Sequence, residues 1–258
     1  MCIGIYVCNG CKGLSKCTLI KNIYDAEKAH IKAHNTILES DIEGQHSKFD
    51  RSCRMGRTYE DFLVFINKNP DVSVVQMDSV IGQRGGKCLL TIHFVETSLM
   101  LAFLRDANTS RSVTDIFEML YVTLGKQLFK KLFPVSLTDN GSEFSNPKAI
   151  EYNDSKYTGI RTNVFYCDAG RPYQKGSIEV NHEFIRRILP KGKSFNNLTQ
   201  EDVDLMMNHI NSYKRKKLNN RSPYEAFSFY YGEEVLHKLR CYQVAPCDII
   251  LKPSLLKK

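Results

Sequence analysis

The stretch LTDNGSEF, residues 137–144, brings a hydrophobic segment directly to a carboxylate. Aliphatic and β-branched side chains of the kind that favour strands precede Asp139, and the turn pair Asn140–Gly141 follows it. The stretch is either an ordinary Asp–Asn–Gly turn or a strand that holds a metal ligand at its tip. The positions of the other acidic residues decide between these two interpretations.

The composition is that of a globular, moderately basic chain. It has 258 residues, of which 42% are hydrophobic, so one large domain or two small ones can bury a core. The formal net charge of +8 suits a polyanionic partner, although many soluble proteins are equally basic. No run of 18 apolar residues occurs, and the first residues lack the pattern of a secretory signal. We therefore expect no membrane span and no secretory leader.

The nine cysteines fall into two groups. Four lie within the first 17 residues: Cys2, Cys8, Cys11 and Cys17. The middle two have two residues between them, a spacing typical of zinc thiolates, so this segment predicts a Zn2+ site with His30 and His34 as alternative donors. Unliganded thiols are the competing interpretation. The other five are scattered and are expected to be free thiols in a reducing compartment: Cys53, Cys88, Cys167, Cys241 and Cys247.

Hydrophobic periodicity divides the chain into four parts. Residues 1–39 form a Cys-rich head that ends in a helix, and the polar residues 40–57 form a linker. Residues 58–192 form an α/β core, and residues 193–258 form a helical C-terminal extension.

The core has a diagnostic order of elements. The predicted elements are three β-rich segments at 72–82, 87–97 and 99–107, a helix over 110–133, strands at 134–139 and 162–167, and a helix over 176–192. The short connections between the first three strands predict an antiparallel meander. This order is that of the RNase H-like fold, a mixed five-stranded sheet with helices on both faces.

Three acids lie on elements that this fold can bring together. Asp78 lies in the first strand, Asp139 ends the fourth, and Glu179 lies on the helix after the fifth. Each alone has an ordinary explanation: a satisfied polar residue, a turn residue and a solvated helix position. When the first and fourth strands are neighbours, however, the carboxylates converge and repel each other unless a divalent cation binds between them. Oxygen ligands favour Mg2+ or Mn2+.

The helix over 176–192 has two distinct faces. Its apolar stripe comprises Ile178, Ile185, Ile188 and Leu189. The adjacent polar face comprises Glu179, His182, Glu183 and Arg186. This pattern suits a helix that buries one side and presents acid, imidazole and guanidinium groups on another. A merely solvated face accounts for it equally well.

Several segments resemble one known family. They are GRTYEDF, VVQMDSV, residues 132–144, FYCDAGRPYQKGSIEVNHEFIRR and LTQEDVDLMMNHINSYKRKKLNNRSPYEAF, with CNGCKGLSKC near the start. Residues 56 to about 251 are similar to bacterial transposases of the insertion sequence 30 family, which have an RNase H-like, retroviral-integrase-type catalytic core. The resemblance implies that Asp78, Asp139 and Glu179 form the Asp-Asp-Glu triad. Arg186 matches a basic residue two turns beyond the glutamate, and Asn181 and His182 match less closely.

The resemblance also implies an activity and partners. It implies an Mg2+-dependent (or Mn2+-dependent) polynucleotidyl transferase that cleaves element ends and joins them to target DNA. The enzyme would act as a homo-oligomer on DNA, in a bacterial cytoplasm and in association with the nucleoid. Glu143, the second acid of the opening stretch, is expected to support the loop rather than to bind metal.

The segment KRKK, residues 214–217, lies C-terminal to the predicted core. It follows a helix that Thr199 caps, and it precedes a second helix that starts at Ser222 and Pro223. Lys214, Arg215, Lys216 and Lys217 are candidate phosphate contacts, with a solvated surface as the alternative.

Two departures from the family pattern motivate a second hypothesis. About 20 residues without helical periodicity separate the Cys-rich head from GRTYEDF, where relatives carry a helix-turn-helix segment. The 39 residues between Asp139 and Glu179 also form a slightly long spacing, as if 148–159 were an inserted loop. The alternative function is a shortened, catalytically inactive DNA-binding remnant that interferes with a full-length transposase.

Overall fold

The computed structural model describes residues 51–152 and 159–256 and is built on one five-stranded sheet. The strands are β1 (Val74–Ile81), β2 (Cys88–Phe94), β3 (Met100–Arg105), β4 (Val135–Thr138) and β5 (Asn163–Tyr166). Their spatial order is β3-β2-β1-β4-β5, in which β2 is antiparallel to both of its neighbours, β4 is parallel to β1 and β5 is parallel to β4. This mixed sheet is that of the RNase H-like fold, so the predicted fold is confirmed.

Eight α-helices surround the sheet in the described ranges. They are α1 (Tyr59–Lys68), α2 (Ser110–Leu124), α3 (Lys126–Leu132), α4 (Pro147–Glu151), α5 (Gly176–Ile188), α6 (Gln200–Ser212), α7 (Pro223–Tyr231) and α8 (Glu233–Lys238). Capping boxes start three of them, at Thr58, Thr199 and Ser222, where the cap side chain and the third helical residue satisfy each other's backbone N–H groups. The helix starts predicted at Thr199 and Ser222 are therefore confirmed.

Side-chain alternation along β1 divides the core between the two faces of the sheet. Val80 packs with α5 and α6, and Val74 packs with Phe62 of α1. The intervening Val75 and Met77 belong to the larger cluster on the opposite face, which α2, α3, α7 and α8 cover. Gln76 and Asp78, between Val74 and Val80 in this alternation, lie on the first face.

The single helix predicted over 110–133 is wrong, because the chain breaks at Gly125. This glycine has φ 74° and ψ 159°, a conformation that most residues with a Cβ avoid. It ends α2 and starts α3, and the change of direction lets Phe117 and Phe129 reach the same core, where their rings are 6.2 Å apart. The apolar periodicity of the sequence continues across Gly125, so it did not indicate that the helix ends there.

The predicted linker, 40–57, extends too far at its C-terminal end. Arg57 forms a bidentate ion pair with Glu151, at 2.8 Å from Nε to Oε1 and 2.6 Å from Nη2 to Oε2. Its carbonyl also accepts a hydrogen bond from the backbone N–H of Tyr166. This segment is therefore bound to the core through β5.

The C-terminal helices are part of the folded unit. Met206 and Ile210 of α6 are fully buried in the cluster that contains α5, and Asn211 exchanges two hydrogen bonds with the backbone of Met100 on β3. Phe227 of α7 is buried in the opposite cluster. The predicted helical extension is therefore confirmed as helical, and it closes both faces of the sheet.

Two features fall outside this description. The Cys-rich head, with its predicted Zn2+ ligands and helix, lies outside the described residues, as does half of the predicted inserted loop, residues 153–158. Among the helices of the described ranges, none combines the length and the apolar character of a membrane span.

Candidate active site

The strand register places the first two candidate acids at the same level. β1 and β4 are parallel, with Val74 opposite Val135 and Gln76 opposite Leu137. The same offset, continued by two residues, brings Asp78 level with Asp139. The β-pleat keeps Asp78 on the same face of the sheet as Gln76, the face that α5 covers. Asp139, immediately after the last residue of β4, is therefore next to Asp78.

Local hydrogen bonds hold each carboxylate in the same manner. The backbone N–H of Ser79 donates to Asp78 Oδ1 at 2.7 Å, and that of Gly141 donates to Asp139 Oδ1 at 3.1 Å. One oxygen of each acid is therefore occupied by its own chain. The Oδ2 atoms of both acids are directed to a shared partner.

That partner is Lys175, which sequence reasoning missed. Its Nζ lies 3.1 Å from Asp78 Oδ2 and 3.1 Å from Asp139 Oδ2, and it donates to the carbonyl of Met77 at 3.4 Å. The residue is only 4% exposed. Burial lowers the pKa of Lys175, but attraction to the two aspartates outweighs burial and raises it above the ordinary value, so the ammonium stays charged. The available signal was its position one helical turn before Glu179.

Asp78 is the more enclosed of the two aspartates, with 19% of its side chain exposed against 44% for Asp139. Burial raises the pKa of Asp78, Lys175 opposes that change, and Asp139 adds to it, so the net shift is upward. A cation beside this carboxylate therefore stabilises its ionised form.

Glu179 lies in the first turn of α5, on the exposed surface next to the pair. Burial raises the pKa of Glu179, Lys175 opposes it, and both Asp78 and Asp139 raise it further. All three acids thus act on one another electrostatically. Within the residues the structure describes, no group of three or more His, Cys, Asp or Glu side chains is close enough to hold a metal ion. The acids that meet directly are Asp78 and Asp139, and the cation between them is Lys175.

The donor set nevertheless fits a divalent cation. Two carboxylate oxygens already face one cationic position, and a third carboxylate is within electrostatic range of them. Oxygen-only donors of this kind suit hard cations such as Mg2+ or Mn2+.

His182 packs against the sheet beside Asp78 and is more buried than the polar-face pattern predicted. The hydroxyl of Thr91 donates its one proton to the carbonyl of Asp78 at 3.0 Å, so His182 Nε2, 2.8 Å from the same hydroxyl, is the donor to Thr91. The ring Nδ1 lies 3.9 Å from Asp78 Oδ2, too far for a hydrogen bond. Burial and the charges of Lys175 and Arg186 lower the pKa of His182 to about 4, so the ring is neutral at pH 7.

Two polar contacts fix α5 above the acids. Gln76 of β1 accepts the backbone N–H of Ile178 through its side-chain oxygen at 2.9 Å. His93 of β2 is fully buried, and its Nε2 is 2.8 Å from the hydroxyl of Ser177. Both contacts lie within two residues of Glu179, so they set its position relative to the sheet.

The loop after β4 is held by its own polar residues. The side-chain amide of Asn140 donates to the carbonyl of Cys167 at 2.9 Å, which ties the ends of β4 and β5 together. A Cβ at Gly141 would lie 2.5 Å from Glu143 Oε2, so a larger residue there would require the Glu143 side chain to move. Glu143 is 7% exposed and packs against this turn. Its position is therefore inside the loop, where it supports the turn.

The candidate DNA contacts separate into two groups. Lys214, Lys216 and Lys217 are exposed. Arg215 is 6% exposed, its guanidinium lies 3.6 Å from the centroid of the Phe184 ring on α5, and it donates to the carbonyl of Ile210 at 3.1 Å. The prediction that Arg215 contacts phosphate does not agree with this buried position.

Arg215 instead attaches the basic segment to α5. The segment closes on itself through hydrogen bonds between Arg215 and Arg221 and between Asn220 and Arg215. The charge of Lys217 helps to lower the pKa of the buried His93, after the larger effect of burial. Lys217 is therefore within electrostatic range of His93, which lies opposite Gln76 in the sheet. Arg186, also on α5, donates to the carbonyl of Ile81 at the end of β1.

Comparison with known proteins relates the chain to an integrase and to transposases. It is 30% identical over 161 residues to ORF3 of Spiroplasma virus SpV1-R8A2 B, a protein named as an integrase, covering 62% of this chain and 47% of that protein. It is 23% identical over 217 residues to the transposase of IS4351 from Bacteroides fragilis, covering 81% of this chain and 62% of the transposase. It is also 30% identical over 116 residues to the transposase InsI of IS30A from Escherichia coli strain K12, covering 45% and 28%.

The chain therefore spans less than two thirds of the length of each of these relatives. No protein-family model matches the sequence. Among solved structures, the catalytic core domain of BIV integrase aligns with 63% of this chain and 97% of its own, at 19% identity and a TM-score of 0.43. By sequence, the chain is related to transposases and to an integrase, and the transposases include that of IS30A.

Proposed function

We propose that the chain is an Mg2+- or Mn2+-dependent polynucleotidyl transferase that cleaves DNA and joins a free 3′ end to a second DNA. The observation that carries the proposal is the placement of Asp78 and Asp139 at the same level on neighbouring parallel strands, with Glu179 on the helix above them. The named relatives are transposases and an integrase, which agrees with this reaction.

The three acids have distinct tasks in this proposal. Asp78 and Asp139 would hold the metal through the Oδ2 atoms that now face Lys175, because their Oδ1 atoms already accept backbone N–H groups. Glu179, exposed at the start of α5, would complete the site from the side that faces solvent. The bound cations would supply activation of water and stabilisation of the departing 3′ oxygen.

A covalent enzyme intermediate is not part of the proposal. Cys167, whose backbone carbonyl accepts from Asn140 in the loop after β4, is buried, and burial above all raises the pKa of its thiol to about 12. A thiol with that pKa is protonated at neutral pH and is a poor nucleophile. The acids, with the metal they would bind, therefore carry the chemistry.

DNA would approach from the side of the exposed lysines. Lys214, Lys216 and Lys217 offer phosphate contacts on a segment that Arg215 fastens to the same helix that carries Glu179. Arg186 extends this basic surface along α5 towards β1. We include in the proposal that the active form is a homo-oligomer on DNA.

The experiment is a joining assay with the purified chain. A labelled duplex with a free 3′-hydroxyl is incubated with supercoiled plasmid in Mg2+, Mn2+ or EDTA, and transfer of label to the plasmid is measured with plasmid nicking. The proposal expects nicking and transfer in either metal and none in EDTA. Binding of both DNAs with neither nicking nor transfer in any metal would instead support the inactive, DNA-binding remnant.

A further inference from the structure

The side chain of Lys175 occupies the position where a cation would bridge the two aspartates. Its Nζ is equally distant, at 3.1 Å, from the Oδ2 atoms of Asp78 and Asp139. The two oxygens are therefore no more than twice that distance apart. The third acceptor, the carbonyl of Met77 at 3.4 Å, completes the surroundings of the ammonium group.

This arrangement differs from a surface ion pair. Lys175 is 4% exposed and ends a short 3-10 helix, Pro172–Lys175, immediately before α5 begins. The buried ammonium has an oxygen partner for each of its three protons. Moving it away would also leave two adjacent carboxylates without a counter-charge, so Lys175 is held firmly in place. The lysine thus stabilises the acid pair in the absence of any other cation.

The same position cannot hold two cations. An ammonium group at 3.1 Å from both Oδ2 atoms excludes a divalent ion from those oxygens by volume and repels it by charge. We propose that Lys175 is a built-in counter-cation of the acid pair, which keeps Asp78 and Asp139 assembled and yields its place when a divalent cation binds. This inference rests on the proposed function, since it takes the two aspartates as ligands of that cation.

The inference has two consequences of opposite sign. Without metal, Lys175 stabilises the folded chain by neutralising the two aspartates. With metal, it is a competitor, so its removal strengthens divalent-cation binding. A merely structural ion pair would produce the first effect without the second, because the metal would not need the lysine's position.

Two variants that each remove one lysine charge distinguish the effect on stability from the effect on metal binding. Lys175→Met removes the ammonium and keeps an unbranched side chain, whereas Lys191→Met makes the same charge change at an exposed site after α5. Mn2+ binding is measured at pH 8 by calorimetry and by electron paramagnetic resonance, and thermal unfolding is followed with and without Mn2+. We expect Lys175→Met to bind Mn2+ about tenfold or more tightly than the wild type and to unfold at a lower temperature without metal. Lys191→Met should match the wild type in both.

A second measurement uses the wild-type chain and does not depend on the variant folding. Acetic anhydride modifies accessible amines, and peptide mass spectrometry gives the rate for Lys175. Mg2+ should raise that rate several-fold relative to NaCl at equal ionic strength, while the rate for Lys191 stays the same. In Asp139→Asn, which would lack one metal ligand, Mg2+ should have a much smaller effect.

The outcomes separate the inference from the proposed function. If the wild type binds Mn2+, and Lys175→Met binds it no more tightly while Mg2+ leaves the acetylation rate unchanged, the lysine does not compete and the inference is wrong. If neither the wild type nor Lys175→Met binds Mn2+, the metal site of the proposed function is itself wrong, and the inference falls with it.

Discussion

Asp78 and Asp139 lie level with each other on adjacent parallel strands, and each accepts a backbone N–H group from the residues that follow it. Each carboxylate therefore has one oxygen held by its own chain and a second oxygen turned to a common cation, Lys175. The strand register and the local hydrogen bonds orient the two acids, and Lys175 supplies the counter-charge that lets them lie side by side.

The turn after β4 gives the first prediction. A Cβ on Gly141 would lie 2.5 Å from Oε2 of the buried Glu143, so Gly141→Ala should force that flexible side chain to move and should lower the unfolding free energy by about 1 kcal/mol. Urea denaturation measures this cost. In the Glu143→Ala background the obstacle is absent, and the same glycine substitution should cost much less. An equal cost in both backgrounds would show that Glu143 does not fill this space.

Arg215 should act on stability, unlike its exposed neighbours. Arg215→Met loses a guanidinium stacked on Phe184 and a hydrogen bond to Ile210, partly offset by relief of a buried charge whose pKa burial lowers to about 10. We expect a loss of about 1–2 kcal/mol by urea denaturation. Lys216→Met, at an exposed site, should change stability by less than about 0.5 kcal/mol. Equal effects of the two variants would contradict the anchoring role.

The buried histidines predict a stability that falls with acid. Burial lowers the pKa of His182 to about 4, so between pH 6.5 and 4 the unfolded chain binds the proton that the folded chain excludes. The stability present above pH 6.5 is therefore lost as the pH falls, by on the order of 3 kcal/mol for this residue. His93 shifts in the same direction, while the raised pKa of Asp78 acts in the opposite direction.

His182→Gln isolates one of these contributions. Glutamine keeps a nitrogen that can donate to Thr91 and removes the titrating ring. Unfolding free energies at pH 6.5 and pH 4.5 should differ less in His182→Gln than in the wild type. A pH dependence that is the same in both proteins would mean that His182 titrates normally in the folded chain.

DNA binding should depend strongly on salt and little on sequence. Phosphate contacts supply affinity without sequence information, and they weaken as salt concentration rises. Replacing Lys214, Lys216 and Lys217 by methionine should lower the salt dependence, by about 0.9 in the slope of log affinity against log salt for each lysine–phosphate interaction that the substitution removes. Titration against several unrelated duplexes at two salt concentrations measures both properties. A preference of roughly a thousandfold for one duplex would reveal a specific recognition element.

The sequence predicted the fold and the neighbouring positions of Asp78 and Asp139, but not the lysine that lies between them. The hydrophobic patterns of successive segments predicted the order of strands and helices. Because that order allows β1 and β4 to be neighbours, Asp78 in β1 and Asp139 at the end of β4 were expected to lie side by side. Lys175 was missed because its partners come from two elements that are distant from it in sequence, β1 and the end of β4, and one-turn spacing from Glu179 is not distinctive alone. Arg215 was assigned to the surface because a run of basic residues reveals nothing about which member folds back onto Phe184. The Zn2+ site at Cys2, Cys8, Cys11 and Cys17 stays a prediction, which metal analysis of the purified chain can test.

The most direct test compares two glutamates one turn apart on α5. The charges of Asp78 and Asp139 act on Glu179, whereas Glu183 is exposed one turn later on the same helix. Glu179→Gln and Glu183→Gln therefore make the same chemical change at a proposed metal ligand and at a control position. Each is assayed in Mn2+ for plasmid nicking and strand joining, together with Asp78→Asn and Asp139→Asn and with circular dichroism as a check of folding. We expect Glu183→Gln to keep near-wild-type rates and the other three variants to lose at least about a hundredfold in rate, each with an unchanged spectrum, since each would remove one charge from the proposed metal site. A folded Glu179→Gln variant as active as Glu183→Gln would contradict this expectation.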